Sequence, residues 1–143
     1  MQSTATAARG IALPATHATS PVGGMVWTGR VISAIVALFL LLDGAGKVLE
    51  WAVHVEGTTG LGYPAHSVRW IGLSLVVSTL LYVLPRTAIL GAILLTGYLG
   101  GAVATQVRAD DPWFLFPVLF GVLTWGGLYL RDEQIRALIP LRQ

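Results

Sequence analysis

The 143-residue chain contains no cysteine, and only 11% of its residues are charged. The first absence excludes a disulfide, a thiol relay, an iron–sulfur cluster and a thiolate-held metal, so any redox chemistry would need a borrowed cofactor. The second sets the chain apart from soluble domains, which carry roughly 25% charged residues. The nine basic and seven acidic residues leave a formal charge of +2 and a pI near 9.4, but Lys and Arg are scattered rather than clustered. Nucleic-acid binding is therefore excluded. There is no P-loop, no GxSxG elbow and no dinucleotide fingerprint. Of the three histidines, His17 lies in the N-terminal tail, and the spacing of His54 and His66 favours neither haem ligation nor a structural metal site. No metal is expected.

What the chain has in abundance is apolar sequence, 55% of its residues. It comes in blocks of about 17 to 25, the length that spans ~30 Å of hydrocarbon at 1.5 Å per residue. Four spans are expected, over about Trp27–Val55, Val68–Leu84, Ala88–Val107 and Trp113–Leu130. The stretch "EGTTGLGYPAHS" reads as the loop after span 1, "LPRT" as the break between spans 2 and 3 with Thr87 as N-cap, and "RADDPW" as the last turn. Continuous apolar runs exclude a β-barrel, whose strands alternate. The expected fold is all-α, an integral membrane antiparallel four-helix bundle. Residues 1–26 are expected to form a disordered tail, 27–131 the membrane domain and 132–143 a short cytoplasmic tail. "MQSTATAARGIALPATHATSPVGG" has no apolar run long enough for a signal peptide, and Met25 beside Met1 is a second candidate start.

Arg9, Arg30, Arg86, Arg131, Arg136 and Arg142 fall on the side that holds both termini, against Arg69 and Arg108 on the other. The positive-inside rule then places both termini in the cytoplasm. Trp27, Trp113 and Tyr129, near span ends, fit interfacial belts.

Asp43, Lys47, Glu50 and His54 are spaced 4, 3 and 4, which stacks them on one face of a continuous helix. Asp43 is thirteen residues past Arg30, about 20 Å along the axis, so the stripe belongs to the outer part of the membrane. Charge inside a bilayer points to a functional site. Two readings stand side by side: the wall of a polar cavity open to the outside, or an Asp43–Lys47 pair that neutralises itself while Glu50 and His54 meet water. With neutral His54 the stripe carries net −1, which calls for another cation, and Arg108 and Arg69 are the available partners. On span 3, Tyr98, Gly101, Thr105 and Arg108 form a second stripe facing the same side. In "GYLGGAVAT" the small residues Gly97, Gly101 and Thr105 read as close helix packing, with a dimer interface or room for a flat ligand as alternatives. Gly44 and Gly46, between the charges, suit a kink or a close backbone approach. Trp125 reads as a packing residue.

The segments "DGAGKVLE", "LGYPAHSVRWIG", "LLYVLPRTAILGAILLTGYLGGAVATQVR" and "LFGVLTWGGLYLRD" resemble the DoxX-like family of small bacterial four-helix membrane proteins, over about Trp27 to Arg131. The resemblance implies the four-helix fold. It implies little about activity, because the wider group is named after a subunit of an archaeal thiosulfate:quinone oxidoreductase and most DoxX-like members have no assigned activity. Where the family pattern leads one to expect a histidine just before the arginine that ends span 3, this chain reads "ATQVR", with Gln106.

Three functions compete at this point. The first is a binding or redox-accessory subunit that holds the polar head of a lipophilic, quinone-like molecule, with Tyr98, Thr105, Gln106 and Arg108 donating to its oxygens, Arg69 and His54 alongside, and Asp43 with Lys47 handling protons. The second is an enzyme that uses Asp43 or Glu50 as acid and base on a lipophilic substrate. The third is a structural or transport subunit whose ion pair serves packing alone. Membrane lipid is a partner in all three, and a second copy or a partner subunit fits each of them.

Overall fold

The computed structural model describes residues 21–138. Six helices follow in order: α1 (Pro21–Val48), α2 (Ala52–Gly60), α3 (Ala65–Val83), α4 (Ala88–Arg108), α5 (Leu115–Arg131) and α6 (Glu133–Leu138), with a 3₁₀ turn (Pro112–Phe114) leading into α5. No strand occurs among the described residues. Four segments, Gly23–Val48, Ala65–Val83, Ala88–Arg108 and Pro112–Arg131, are long and apolar enough to cross a membrane. Their outward faces carry large apolar side chains such as Ile35, Leu38, Leu42, Val77, Leu80, Ile93 and Val122. Water would oppose exposing so much apolar surface, whereas lipid accommodates it. The chain is a multi-pass membrane protein.

The four long helices form a ring. α1 lies against α3 and α5, and α4 lies against the same two helices, while across the ring α3 reaches α5 through the Tyr82 side chain. Val36 and Leu40 of α1, Leu75 and Tyr82 of α3, Leu95 and Leu99 of α4, and Phe120 and Leu128 of α5 fill its interior. Phe39 stacks on Phe120 at 4.6 Å between ring centres, and Phe116 closes the cluster at 5.0 Å from Phe120, tying α1 to α5.

Helix ends depart from the expected ones for local reasons. α1 does not run on to Val55. Glu50 adopts a left-handed backbone (φ 55), its N–H donates to Lys47 O at 3.2 Å, and the Trp51 N–H donates to Gly46 O at 2.9 Å. These two bonds are a Schellman cap, which ends a helix by turning one residue into the left-handed region. The chain then re-enters helix at Ala52, so the first five residues of the expected loop "EGTTGLGYPAHS" are helical. α3 stops at Leu84, whose extended backbone (ψ 123) is what a following proline imposes. Thr87 stands at the N-cap position of α4 without capping it; its hydroxyl donates instead to Leu81 O at 2.8 Å. Trp27 and Trp113 are exposed, while Tyr129 is partly buried and packs on the core. α1 already begins at Pro21, within the stretch read as tail, and residues 1–20 and 139–143, with Arg9, His17 and Arg142, lie outside the described residues.

Candidate functional site

At the end of the bundle where α1 and α4 terminate, α1, α3 and α4 draw apart around a cavity of about 850 Å³, covered by α2 and the 3₁₀ turn. Close backbone approach builds the wall below it. A Cβ on Gly72 of α3 would meet Gly44 O at 2.8 Å and Val48 N at 2.8 Å, so the two glycines let α1 and α3 touch beside the charges. A Cβ on Gly46 would collide with the His54 imidazole, so this glycine seats the ring of α2 against α1. Both agree with the close approach read from "DGAGK".

Asp43 and Lys47 form an ion pair across one turn of α1, with side chains 26% and 14% exposed. The other carboxylate oxygen, Oδ1, lies 3.3 Å from His54 Nδ1. His54 reaches Asp43 because the chain reverses at Glu50, and not because the two share a helix face. The same reversal carries Glu50 out of the group. Half exposed, it lies 3.7 Å from Arg69 Nε, at the rim and away from the cavity wall. The expected four-member stripe on one helix is thus three residues from two helices, and the expected surplus negative charge on it goes with Glu50. Arg108 also stays outside, donating to Leu61 O at 3.3 Å. Neither arginine neutralises Asp43; Lys47 and His54 surround it.

From α4, Tyr98, Thr105 and Gln106 line the cavity, as do Gly97 and Gly101. The expected tight packing at these glycines is absent: a Cβ at Gly97, Gly100 or Gly101 would meet nothing within 4 Å. Their lack of a side chain leaves room beside the cavity instead of joining helices. Trp125 does pack, donating its indole N–H to Thr96 Oγ1 at 2.8 Å between α5 and α4.

Several hydroxyls in the wall have their protons committed. Thr105 donates to Gly101 O at 2.9 Å, so in its 2.8 Å contact with Tyr63 the tyrosine is the donor. Thr58 donates to His54 O at 2.7 Å and Ser74 to Ile71 O at 2.8 Å. Thr105 therefore accepts here, where the sequence suggested a donor. The Gln106 Oε1 is buried and has no hydrogen-bond partner among the described residues.

A family model of the DoxX-like family matches residues 31–127. The chain belongs to this family. The matched segment holds every side chain that lines the cavity, from Asp43 to Trp113. Neither the curated proteins nor the solved structures contain a significant match to this DoxX-like chain. Sequence reasoning missed Thr58 and Tyr63 as wall residues because it read 56–67 as an outer loop, and it did not single out Ser74 within span 2 or Asp111 in the last turn. One signal was available: Thr58 follows His54 by four residues, the spacing of a helix that continues past the break.

Proposed function

We propose that this DoxX-like protein holds the polar head group of a lipophilic, quinone-like small molecule in the cavity, acting as a binding or redox-accessory subunit. The observation that carries the reading is the convergence of Asp43, Lys47, His54, Tyr98 and Gln106 from three helices on one 850 Å³ space at the edge of an apolar bundle. That volume falls within the range of small-molecule sites, about 300–1,000 Å³. Ionisable groups placed there are costly unless they serve a ligand or a proton path. We place the protein in the bacterial cell membrane with the cavity end outward and both termini cytoplasmic, because Arg30, Arg86, Arg131 and Arg136 gather at the other end.

Mass spectrometry of the small molecules that leave with the purified protein tests the ligand reading. Gly101→Leu is the blocking variant, since Gly101 lines the cavity and a Cβ there meets nothing within 4 Å. A lipophilic aromatic ligand retained by the parent and lost from a folded Gly101→Leu variant is expected; equal retention by both would overturn the cavity as its site. Orientation is tested with single cysteines in this cysteine-free chain. Gly60→Cys should react with an impermeant reagent in intact cells and Arg86→Cys should not.

The enzyme reading keeps one observation in its favour, the contact of Asp43 with both Lys47 and His54, which suits a proton path. Turnover of a lipophilic substrate by the purified protein alone would decide for it.

A further inference from the structure

We infer that the end of the bundle opposite the cavity carries a second binding site, for the phosphodiester head group of an anionic phospholipid. This site is independent of the ligand proposed for the cavity.

A groove of about 170 Å³ lies between α1, the α3–α4 turn and the end of α5, lined by Arg30, Pro85, Ala88, Leu128, Arg131 and Asp132. That volume is below the roughly 300 Å³ at which small-molecule sites begin, so it suits a compact group rather than a whole ligand. Close packing fixes its walls. A Cβ on Gly29 would meet Arg131 N and Leu130 Cβ at 2.7 Å, so this glycine seats α1 directly on the end of α5 and sets Arg30 and Arg131 on one space.

The two arginines differ in how they are held, and both have donors to give. Arg131 is fixed by its bond to Tyr82 O and its place over the Tyr82 ring, which leaves most of its five N–H groups without an acceptor among the described residues. A guanidinium already held in place loses little freedom when it binds an anion. Arg30 is exposed and makes no ion pair among the described residues. Asp132 opposes them only in part, because its Oδ1 accepts from the N–H groups of Gln134 and Ile135 at the start of α6. The groove thus sets two positive charges against one negative, and a single negative charge on a ligand balances it. The planar fork of arginine matches the paired oxygens of a phosphate.

Depth selects a lipid over a soluble anion. Two apolar spans end at Val83 and Arg131 and a third begins at Ala88, so the groove lies where the helices leave the hydrocarbon. Trp27, three residues before Arg30, is exposed near this level, where tryptophan meets head groups. A zwitterionic head group would bring its ammonium up to the arginines, whereas phosphatidylglycerol carries the phosphate charge alone.

The test is the affinity of the full-length protein in detergent for dioleoylphosphatidylglycerol, dioleoylphosphatidylcholine and inorganic phosphate, read by native mass spectrometry as the first copy bound. Phosphatidylglycerol should bind about tenfold more tightly than either of the others, since each basic side chain near a membrane surface strengthens anionic-lipid binding by about fivefold. Arg30→Gln should lose about fivefold in phosphatidylglycerol affinity while unfolding at the parent's temperature in detergent alone, and Arg30→Lys, which keeps the charge, should stay within about threefold of the parent. Arg86→Gln removes an exposed arginine of the same end that does not line the groove, and should change the affinity by less than about twofold. Equal binding of the two lipids would overturn the inference, and so would a folded Arg30→Gln variant that keeps the full preference. Inorganic phosphate bound as tightly as phosphatidylglycerol would overturn the lipid as occupant. A loss in Arg86→Gln as large as that in Arg30→Gln would replace the groove with diffuse attraction to a basic surface.

Discussion

The two ends of the bundle are built from similar residues and put them to opposite use. Near the α3–α4 turn, the Tyr82 hydroxyl donates to Thr124 O at 2.9 Å and therefore accepts from Ser33, also at 2.9 Å. Arg131 donates to Tyr82 O at 2.9 Å and lays its guanidinium 4.8 Å from the centre of the same ring. Glycines there sit in tight contacts: a Cβ on Gly127 would meet Ser33 Oγ at 2.7 Å, and one on Gly91 would run into the Tyr82 backbone. At the other end Tyr98 and Gln106 lack protein partners among the described residues, and Gly97 and Gly101 face open space. A polar group inside a membrane protein can thus be matched within the fold or held for something outside it. Along α4 the glycines follow this difference, with Gly91 packed at the closed end and Gly97 and Gly101 open at the cavity end. This DoxX-like bundle is closed at one end by mutual satisfaction and kept open at the other.

The largest effect that would test this contrast comes from adding one methyl group at each end. Gly91→Ala presses a methyl on the Tyr82 backbone, which cannot swing aside as a side chain could, and should cost ~3 kcal/mol or more, or block folding. Gly101→Ala should stay within about 1 kcal/mol of the parent. Thermal unfolding in detergent measures both, and similar losses would erase the distinction between packed and open glycines.

Next in size is the ion pair. Lys47→Leu leaves Asp43 with His54 as its remaining neighbour in a mostly buried site, at a cost of about 2–3 kcal/mol, whereas Asp43→Leu with Lys47→Leu together removes both desolvation penalties and should recover much of it. Ligand retention separates a working pair from a packing pair. A stable double variant that still keeps its ligand would leave the charges with no role in binding.

Tyr82→Phe should cost about 1–2 kcal/mol by unpairing Ser33 Oγ and removing the second hydrogen bond to Thr124 O, with ligand retention unchanged because Tyr82 is at the closed end. Loss of ligand in that variant would mean that the two ends are coupled.

The smallest effect is expected at Glu50. A left-handed backbone costs a residue with a Cβ roughly 1 kcal/mol, which glycine avoids, and the exposed contact with Arg69 contributes little. Glu50→Gly should therefore match or slightly exceed the parent in melting temperature and keep the ligand. A marked loss of binding would return Glu50 to the cavity's chemistry.

Apolar blocks of span length, punctuated by "LPRT" and "RADDPW", determined the four membrane helices, their antiparallel order and the membership of Asp43, Lys47, Tyr98 and Gln106 in one end of the bundle, because hydrophobic length and helical spacing are local properties. The close approach at Gly44 and Gly46 was legible for the same reason. Only the tertiary structure decided that His54 meets Asp43 across a chain reversal, that Glu50, Arg69 and Arg108 stay outside, and that α2 brings Tyr63 and Thr58 over the cavity. A left-handed glutamate at the end of α1 has no signature in a periodic pattern, since helix caps of this kind usually carry glycine. The meaning of the glycines was hidden for a related reason. Gly72 and Gly101 are the same residue in similar apolar helices, and whether a neighbour fills the space where a Cβ would be depends on how the helices pack, which the spacing along one helix does not contain.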